Sequence, residues 1–384
     1  MLSIRPVTSR LFARLGKRHL VDAAVERRVI APPVERPSKP LISLPDEADR
    51  TRGHHPDSTP STNLARLRCE PVRQGESFAL RLRDVIIADG TVMARTALSV
   101  VAERRRRMLL RSPVEQLDEG TFCSTYVTER YFGHWLKDGL SHELWARDQG
   151  SQPLVLTSPP GRVHEPGYRQ LSGLAARHVD TARVGELWYL HDHELSDDRV
   201  ARLQRIRARI RAAVPADGPS HVFMSRGSSG AGRTLANEAE VEAMLTGLGF
   251  AILKPETSTP WEIARTLSSA RVVISPEGSA LSHAVMTAPQ GTTLVVLQPP
   301  FHLNMIYKTF ADALDFHFAY AVGDPVSEDA FVQPLDRLRR LLDIVDRLAQ
   351  RFGVSDRLRT LPSGSVNQAS LVSPSGEFQM PSSS

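Results

Sequence analysis

An α/β fold with a parallel sheet covered on both faces is the architecture this sequence predicts, and three observations predict it. Between residues 221 and 297, short β-branched runs alternate with helical patterns, the signature of βαβ units. Glycine-rich turns follow two of those runs, at residues 225–233 and 275–281, at the strand ends where such sheets hold ligands. The composition, 41% hydrophobic and 24% charged over 384 residues, is that of a globular chain long enough for two domains and tails.

Residues 1–63 read as a basic, proline-rich tail or linker. Arg5, Arg10, Arg14, Lys17, Arg18, Arg27 and Arg28, set against Asp22 and Glu26, give residues 1–30 the whole formal charge of the chain, +5. The pI of 9.4 therefore belongs to the tail. A nucleic-acid-binding fold, which needs its charge on the folded surface, is excluded. Val7, Leu11, Phe12 and Leu15 beside Arg10, Arg14, Lys17 and Arg18 suit peripheral contact with anionic lipid or a transit peptide, with a solvated tail as the plain alternative. Pro32, Pro33, Pro37, Pro40, Pro45, Pro56 and Pro60 follow among charged and small residues, a linker composition. No run of about 18 apolar residues is present for a membrane span. Two cysteines, Cys69 and Cys123, cannot build a disulfide framework. A cytoplasmic protein, peripheral at the inner face of a membrane, fits these features.

Order begins near Leu64, and residues 64–214 are the expected N-terminal domain. A strand from Phe78 turns on Asp89-Gly90 into a second strand, a hairpin pattern. The Arg104–Arg107 run reads as a solvated edge or loop. Residues 131–147 read as a helix, 153–157 as a buried strand and 187–190 as a short strand. Ser196 caps a helix carrying Val200, Leu203, Ile206, Ile210 and Val214 at helical spacing. Residues 215–352 form the second domain, with strands at 221–225, 250–253, 271–275 and 292–297. Its helices start at Asn237, Thr259 and Ser279, and a closing helix carries Leu335, Leu338, Leu341, Leu342, Val345 and Leu348. Residues 353–384, rich in serine, glycine and proline, read as a disordered tail.

Two strand ends are equipped for phosphate. Ser225-Arg226-Gly227-Ser228-Ser229-Gly230-Ala231-Gly232-Arg233 places two arginines on a glycine-rich loop, fork-shaped donors beside an approachable backbone. Ser275-Pro276-Glu277-Gly278-Ser279-Ala280-Leu281 leads a strand into a helix start. Gly227, Gly230 and Gly232, with Glu256 as ribose carboxylate, mimic a dinucleotide fingerprint, the basis of a rival oxidoreductase reading. The mimicry is poor, because Arg233-Thr-Leu-Ala intervenes before the helix.

In the first half, His134, Asp138 and His142 fall at i, i+4 and i+8 on one helix face. An aspartate one turn from a histidine can hold the imidazole as a general base, and Asp138 could itself be the base. The plain alternative is that both residues tie the helix to its neighbours. The spacing is also compatible with a metal, but no further carboxylate or cysteine cluster supports one. His191-Asp192-His193 reads as a polar loop.

His134-Trp-Leu-x-Asp138, Ser225-Arg226 with Arg233 and Asn237-Glu238, Gly249-Phe250 with Lys254-Pro255-Glu256, and Gly278-Ser279-Ala280-Leu281 form an ordered series. Over residues 75–325 it resembles the catalytic domain of glycosyltransferase family 61, which includes capsular polysaccharide enzymes and xylosyl- and N-acetylglucosaminyltransferases. Glu277 departs from the family pattern, standing where many members carry histidine. The resemblance implies a GT-B-like arrangement, two Rossmann-like domains facing across a cleft, and inversion at the sugar carbon. It implies a hexosyl- or pentosyltransferase of surface polysaccharide synthesis, moving sugar from a nucleotide-sugar donor to a saccharide or glycolipid acceptor. The donor would meet Arg226, Arg233, Glu256, Glu277, Gly278, Ser279, Ala280 and Leu281, the acceptor would meet His134 and Asp138, and neither cofactor nor metal is expected. A non-catalytic nucleotide- or sugar-binding protein of the same fold is the alternative.

Overall fold

The computed structural model describes residues 2–3, 19–56, 58–95, 97–102, 112–113, 115–159, 161–227 and 232–351. The amphipathic basic segment, the Arg104–Arg107 run, the centre of the 225–233 loop and the C-terminal tail lie outside the described residues.

The segment before residue 64 corrects the linker reading. Glu26–Ala31 forms β1, Leu41–Ile42 forms β2 and Pro60–Leu67 forms helix α1. β1 joins one sheet and β2 the edge of another. Between them and α1, Glu47 is wholly buried, accepting hydrogen bonds from the Val322 N–H at 2.6 Å and from Arg337 at 2.7 Å. The prolines punctuate this path without preventing it. Pro60, for example, takes the first turn of α1, where a missing N–H costs nothing.

The first sheet is built on β3 (Ser77–Ala88), β4 (Thr91–Ala94), β5 (Ala97–Val100), β6 (Glu115–Phe122), β7 (Pro153–Val155), β8 (Arg177–His178) and β9 (Thr181–His191). Its order is β8-β7-β6-β9-β3-β4-β5. The first four strands run parallel, while β3, β4 and β5 continue antiparallel. Only half of this sheet is therefore Rossmann-like. β9 is eleven residues long rather than a short strand at 187–190. Ala182, Val184, Leu187 and Tyr189 are buried in one cluster, while Arg183 and Glu186 are only partly buried.

After β6 come α2 (Tyr126–Arg130) and α3, a continuous helix made of Phe132–His134, a π-helical turn Trp135–Gly139 and Leu140–Asp148. α4 (Glu165–Ser172) and α5 (Asp197–Ala212) complete the half, with the Ser196 hydroxyl capping α5 on the Arg199 N–H.

The second sheet follows as read from β10 (His221–Met224), α6 (Glu238–Gly247), β11 (Ala251–Leu253), α7 (Pro260–Leu267), β12 (Val272–Pro276) and α8 (Leu281–Thr287) to β13 (Thr293–Gln298). It then adds α9 (Ile306–Leu314) and β14 (His317–Val322), which the sequence reading did not include, before the closing helix α10 (Leu335–Arg351). All strands are parallel in the order β11-β10-β12-β13-β14-β2. The chain steps outward in opposite directions from β10, so a crevice forms at the carboxyl ends of β10 and β12. The described ends of the 225–233 loop and the 275–281 loop lie there.

Helices of the first half cover one face of this sheet. Leu136, Leu140 and Leu144 of α3 and Leu203, Ile206 and Ile210 of α5 share a core with Val273, Leu294 and Val296. Each such side chain contributes roughly 1.5–3 kcal/mol by burial. α6 and α10 cover the other face, packing Leu245, Leu338 and Leu341 on Phe223 and Ile274. Leu80, Leu82, Ile87, Phe122 and Leu187 form a separate core on the first sheet. Among the described residues no helix is long and apolar enough to cross a membrane.

Candidate functional site

A cleft of about 490 Å³ opens at the carboxyl ends of β10 and β12. Arg226, Arg233, Glu256, Gly278, Ser279 and Ala280 form one wall, as the sequence suggested. The opposite wall is Arg130, Tyr131 and Phe132, at the end of α2 and start of α3, with residues 161–164. Glu277 and Leu281 are placed differently. Glu277 lies buried beneath the loop and Leu281 is wholly buried in the core, so α8 begins at Leu281 rather than at Ser279.

Local structure explains how the arginines are presented. The Glu238 carboxylate, at the first turn of α6, accepts the Arg226 backbone N–H at 2.9 Å. Asn237 stands at the cap position but bonds instead to the backbone of Gln333, at 2.9 and 3.0 Å. The Arg226 guanidinium reaches across to the Glu277 carbonyl. Gly278 has φ +152°, and a Cβ there would lie 2.8 Å from Arg226 Nη1, so only glycine fits this crossing. Burial and the neighbouring Arg233 push the Arg226 guanidinium below its usual range, against Glu277 and Glu238. Two partly buried guanidiniums side by side form a site that an anion relieves.

Arg233 Nη1 stands 2.9 Å from the buried Glu277 Oε2 and also contacts His302 Nε2. Burial and Arg233 push His302 down to about 3. A neutral imidazole accepts there from the guanidinium.

His134 and Asp138 lie beyond the cleft lining, on the helix whose first turn forms the wall. Gly133 brings α3 so close to α8 that a Cβ would lie 2.6 Å from Ser282 Oγ. His134 Nδ1 is 2.6 Å from Asp138 Oδ2, and Arg199 donates to the other carboxylate oxygen. Burial opposes ionisation of Asp138, but Arg199 and His134 overcome it and hold the carboxyl far below the usual range. An ionised carboxylate only accepts, so His134 Nδ1 donates to it, and in the neutral ring Nε2 is the acceptor. The His134 side chain is 41% exposed and that of Asp138 only 6%, so the ring is the accessible partner of the pair.

His142 does not join this pair. The π-helical turn shifts the helix phase, and His142 is wholly buried, 3.1 Å from the Asp192 carbonyl. Asp192, expected in an open polar loop, is itself fully buried and binds Arg202 at 2.6 Å.

Several residues of the site escaped the sequence reading. Buried Lys137 donates to Ser282 Oγ at 2.8 Å, and burial pushes it down to about 8. The Tyr307 hydroxyl lies 3.1 Å from the same Ser282 oxygen and donates to the Gly278 carbonyl at 2.9 Å. A polar chain thus runs from α3 to the cleft floor. His164 Nε2 donates to the Pro255 and Ser258 carbonyls, both at 3.0 Å, joining the two walls. His283, pushed down to about 3 by burial, lines the cleft against Tyr168 at 2.6 Å. Lys137 sits inside the quoted His134–Asp138 motif, and its charge in a helix otherwise rich in buried apolar residues was the available signal. Among the described residues no group of three or more His, Cys, Asp or Glu could hold a metal ion.

Residues 132–295 match the family model described as Glycosyltransferase 61. That segment starts at the cleft wall of α3 and contains both arginine-bearing and glycine-bearing loops. No curated protein matches the chain.

Proposed function

Residues 132–295 belong to glycosyltransferase family 61, and from that premise we propose an inverting enzyme that moves a sugar from a nucleotide-sugar donor to a hydroxyl of a glycan or glycolipid. The observation that carries the donor assignment is the convergence of Arg226, Arg233 and the Gly278–Ala280 backbone on one cleft wall. The donor diphosphate lies against that wall, and the acceptor approaches along the wall begun by Arg130, Tyr131 and Phe132. A role in surface polysaccharide synthesis, with peripheral membrane contact through the basic N-terminus, belongs to the same proposal.

In the proposed step, the acceptor oxygen bonds to the anomeric carbon as the bond to the leaving phosphate oxygen breaks on the opposite face. His134 Nε2 takes the hydroxyl proton, and Asp138 keeps the ring in the tautomer that can do so. Asp138 is the poorer base, since His134 and Arg199 occupy its two oxygens. Charge growing on the departing diphosphate meets Arg226 and Arg233. No divalent ion is required by this arrangement.

The test is transfer itself. The protein is incubated with UDP-, GDP-, CDP- and ADP-sugars and oligosaccharide acceptors, and the anomeric configuration of any product is read by NMR. Inverted linkage from one donor class is expected. Retention of configuration would sink the mechanism, and absence of transfer from every donor would sink the enzyme reading.

A further inference from the structure

The segment before residue 64 also reaches the site indirectly. We infer that residues 52–63 are a strap that positions Arg233, acting through His302 and Asn304 on the loop it clamps. The consequence for donor binding rests on the proposed function; the mechanical coupling does not.

The strap and the 299–305 loop are tied backbone to backbone. The Arg52 and Gly53 N–H groups donate to the Pro300 carbonyl at 2.6 and 3.0 Å. His55 N–H donates to the Leu303 carbonyl at 3.0 Å, and Leu303 N–H returns to the Gly53 carbonyl at 2.9 Å. Asn63, wholly buried, donates to the Leu303 carbonyl at 2.9 Å and accepts from Met305 N–H at 3.2 Å. The approach is close enough that a Cβ on Gly53 would lie 2.6 Å from the Phe301 carbonyl oxygen.

The clamped loop carries two side chains into the donor wall. The His302 ring packs edge-on against His55, with centroids 4.6 Å apart, and its Nε2 accepts from Arg233 Nη1. Asn304 Nδ2 donates to Glu277 Oε1 at 3.0 Å. Arg233 and Glu277 are thereby each held from the same loop while touching one another at 2.9 Å. Arg233 Nε and Glu277 Oε2, both buried, have no hydrogen-bond partner among the described residues. Arg233 is anchored at Nη1 and lines the cleft. No strap residue lines the cleft, so the strap acts through positioning.

The test combines hydrogen–deuterium exchange across residues 232–240 with calorimetry of UDP, GDP, CDP and ADP on the full chain. His302→Ala should speed exchange in that segment and weaken the bound nucleotide about tenfold, the scale of a lost charge-assisted contact. His302→Gln, which supplies an acceptor oxygen, should recover to within about threefold of the parent. In an Arg233→Ala background His302→Ala should add no further loss of affinity, as expected for residues acting as one unit. His55→Ala should give the same pattern, weaker. Equal loss in His302→Ala and His302→Gln, or full additivity with Arg233→Ala, would overturn the inference. If the parent protein binds none of the four nucleotides, the donor reading falls and exchange alone decides: unchanged exchange in His302→Ala and His55→Ala overturns the strap.

Discussion

His134 and Asp138 stand one helical turn apart with 2.6 Å between Nδ1 and Oδ2, and Arg199 takes the carboxylate's other oxygen. The arrangement orients a histidine with an aspartate that is itself immobilised. His134→Ala should lower turnover by about 100-fold or more, the usual scale for a lost general base, and leave donor affinity nearly unchanged. Asp138→Asn should lower turnover less. A folded His134→Ala protein with the parent rate would remove the histidine from the mechanism, and a larger loss in Asp138→Asn would transfer the role to the aspartate.

Asp138 also sets a pH dependence of stability. Its folded pKa is held below the ordinary 3.8, with burial opposing and Arg199 and His134 prevailing. A depressed folded pKa gives stability that is fully present above the unfolded value, declines below it and is lost as pH falls through the folded value. Asp138→Asn removes that contribution and takes from buried Arg199, only 1% exposed, its direct carboxylate partner, leaving it the Asp192 and His193 carbonyls. Denaturation at pH 7 should show a loss of about 3–5 kcal/mol, narrowing below about pH 4. A gap that stays constant down to pH 3 would contradict this origin.

The N-terminal segment should matter to stability, against its linker-like composition. Glu47→Gln should cost about 1–3 kcal/mol, at the modest end because Arg337 keeps Asp46 as a partner. A truncated protein beginning at residue 64 should lose several degrees of melting temperature or fail to fold, since β1 and β2 leave both sheets. A truncated protein melting like the full chain would restore the linker reading.

Why that segment misled, and other parts did not, is physical. β10 to β13 of the second sheet were legible because each is a short apolar run, such as Val272-Val273-Ile274, bounded by turns. The two loops at its switch point followed from the same pattern, and with them Arg226 and Arg233. β1 and β2 were not legible, because each gains its partner from a distant sheet and neither carries a sustained apolar pattern. The π-helical turn after His134 was invisible to a 3.6-residue period, which is why His142 was grouped with a pair it does not join. Arg199 and Lys137 drew no reading from the sequence, and only tertiary contacts reveal them as buried. His302 and Asn304 approach Arg233 and Glu277 from a separate loop, a relationship no local spacing encodes.

Arginine and aligned backbone, rather than a metal ion, neutralise the leaving group in this account. Transfer should therefore persist in excess chelator at no less than about half the untreated rate, well within the tenfold that 1.4 kcal/mol represents. Complete loss that magnesium or manganese restores would replace the account with a metal-assisted one.

The donor site is the claim on which the rest depends, and calorimetric titration of nucleoside diphosphates tests it most directly. The parent protein should bind at least one of UDP, GDP, CDP and ADP. Arg233→Ala and Arg226→Ala should each weaken that binding about tenfold or more. Arg233→Lys should recover only part, because lysine cannot present two parallel donors. Equal binding by the parent and all three variants, or no binding by the parent, would contradict the assignment of this crevice to a nucleotide-sugar diphosphate.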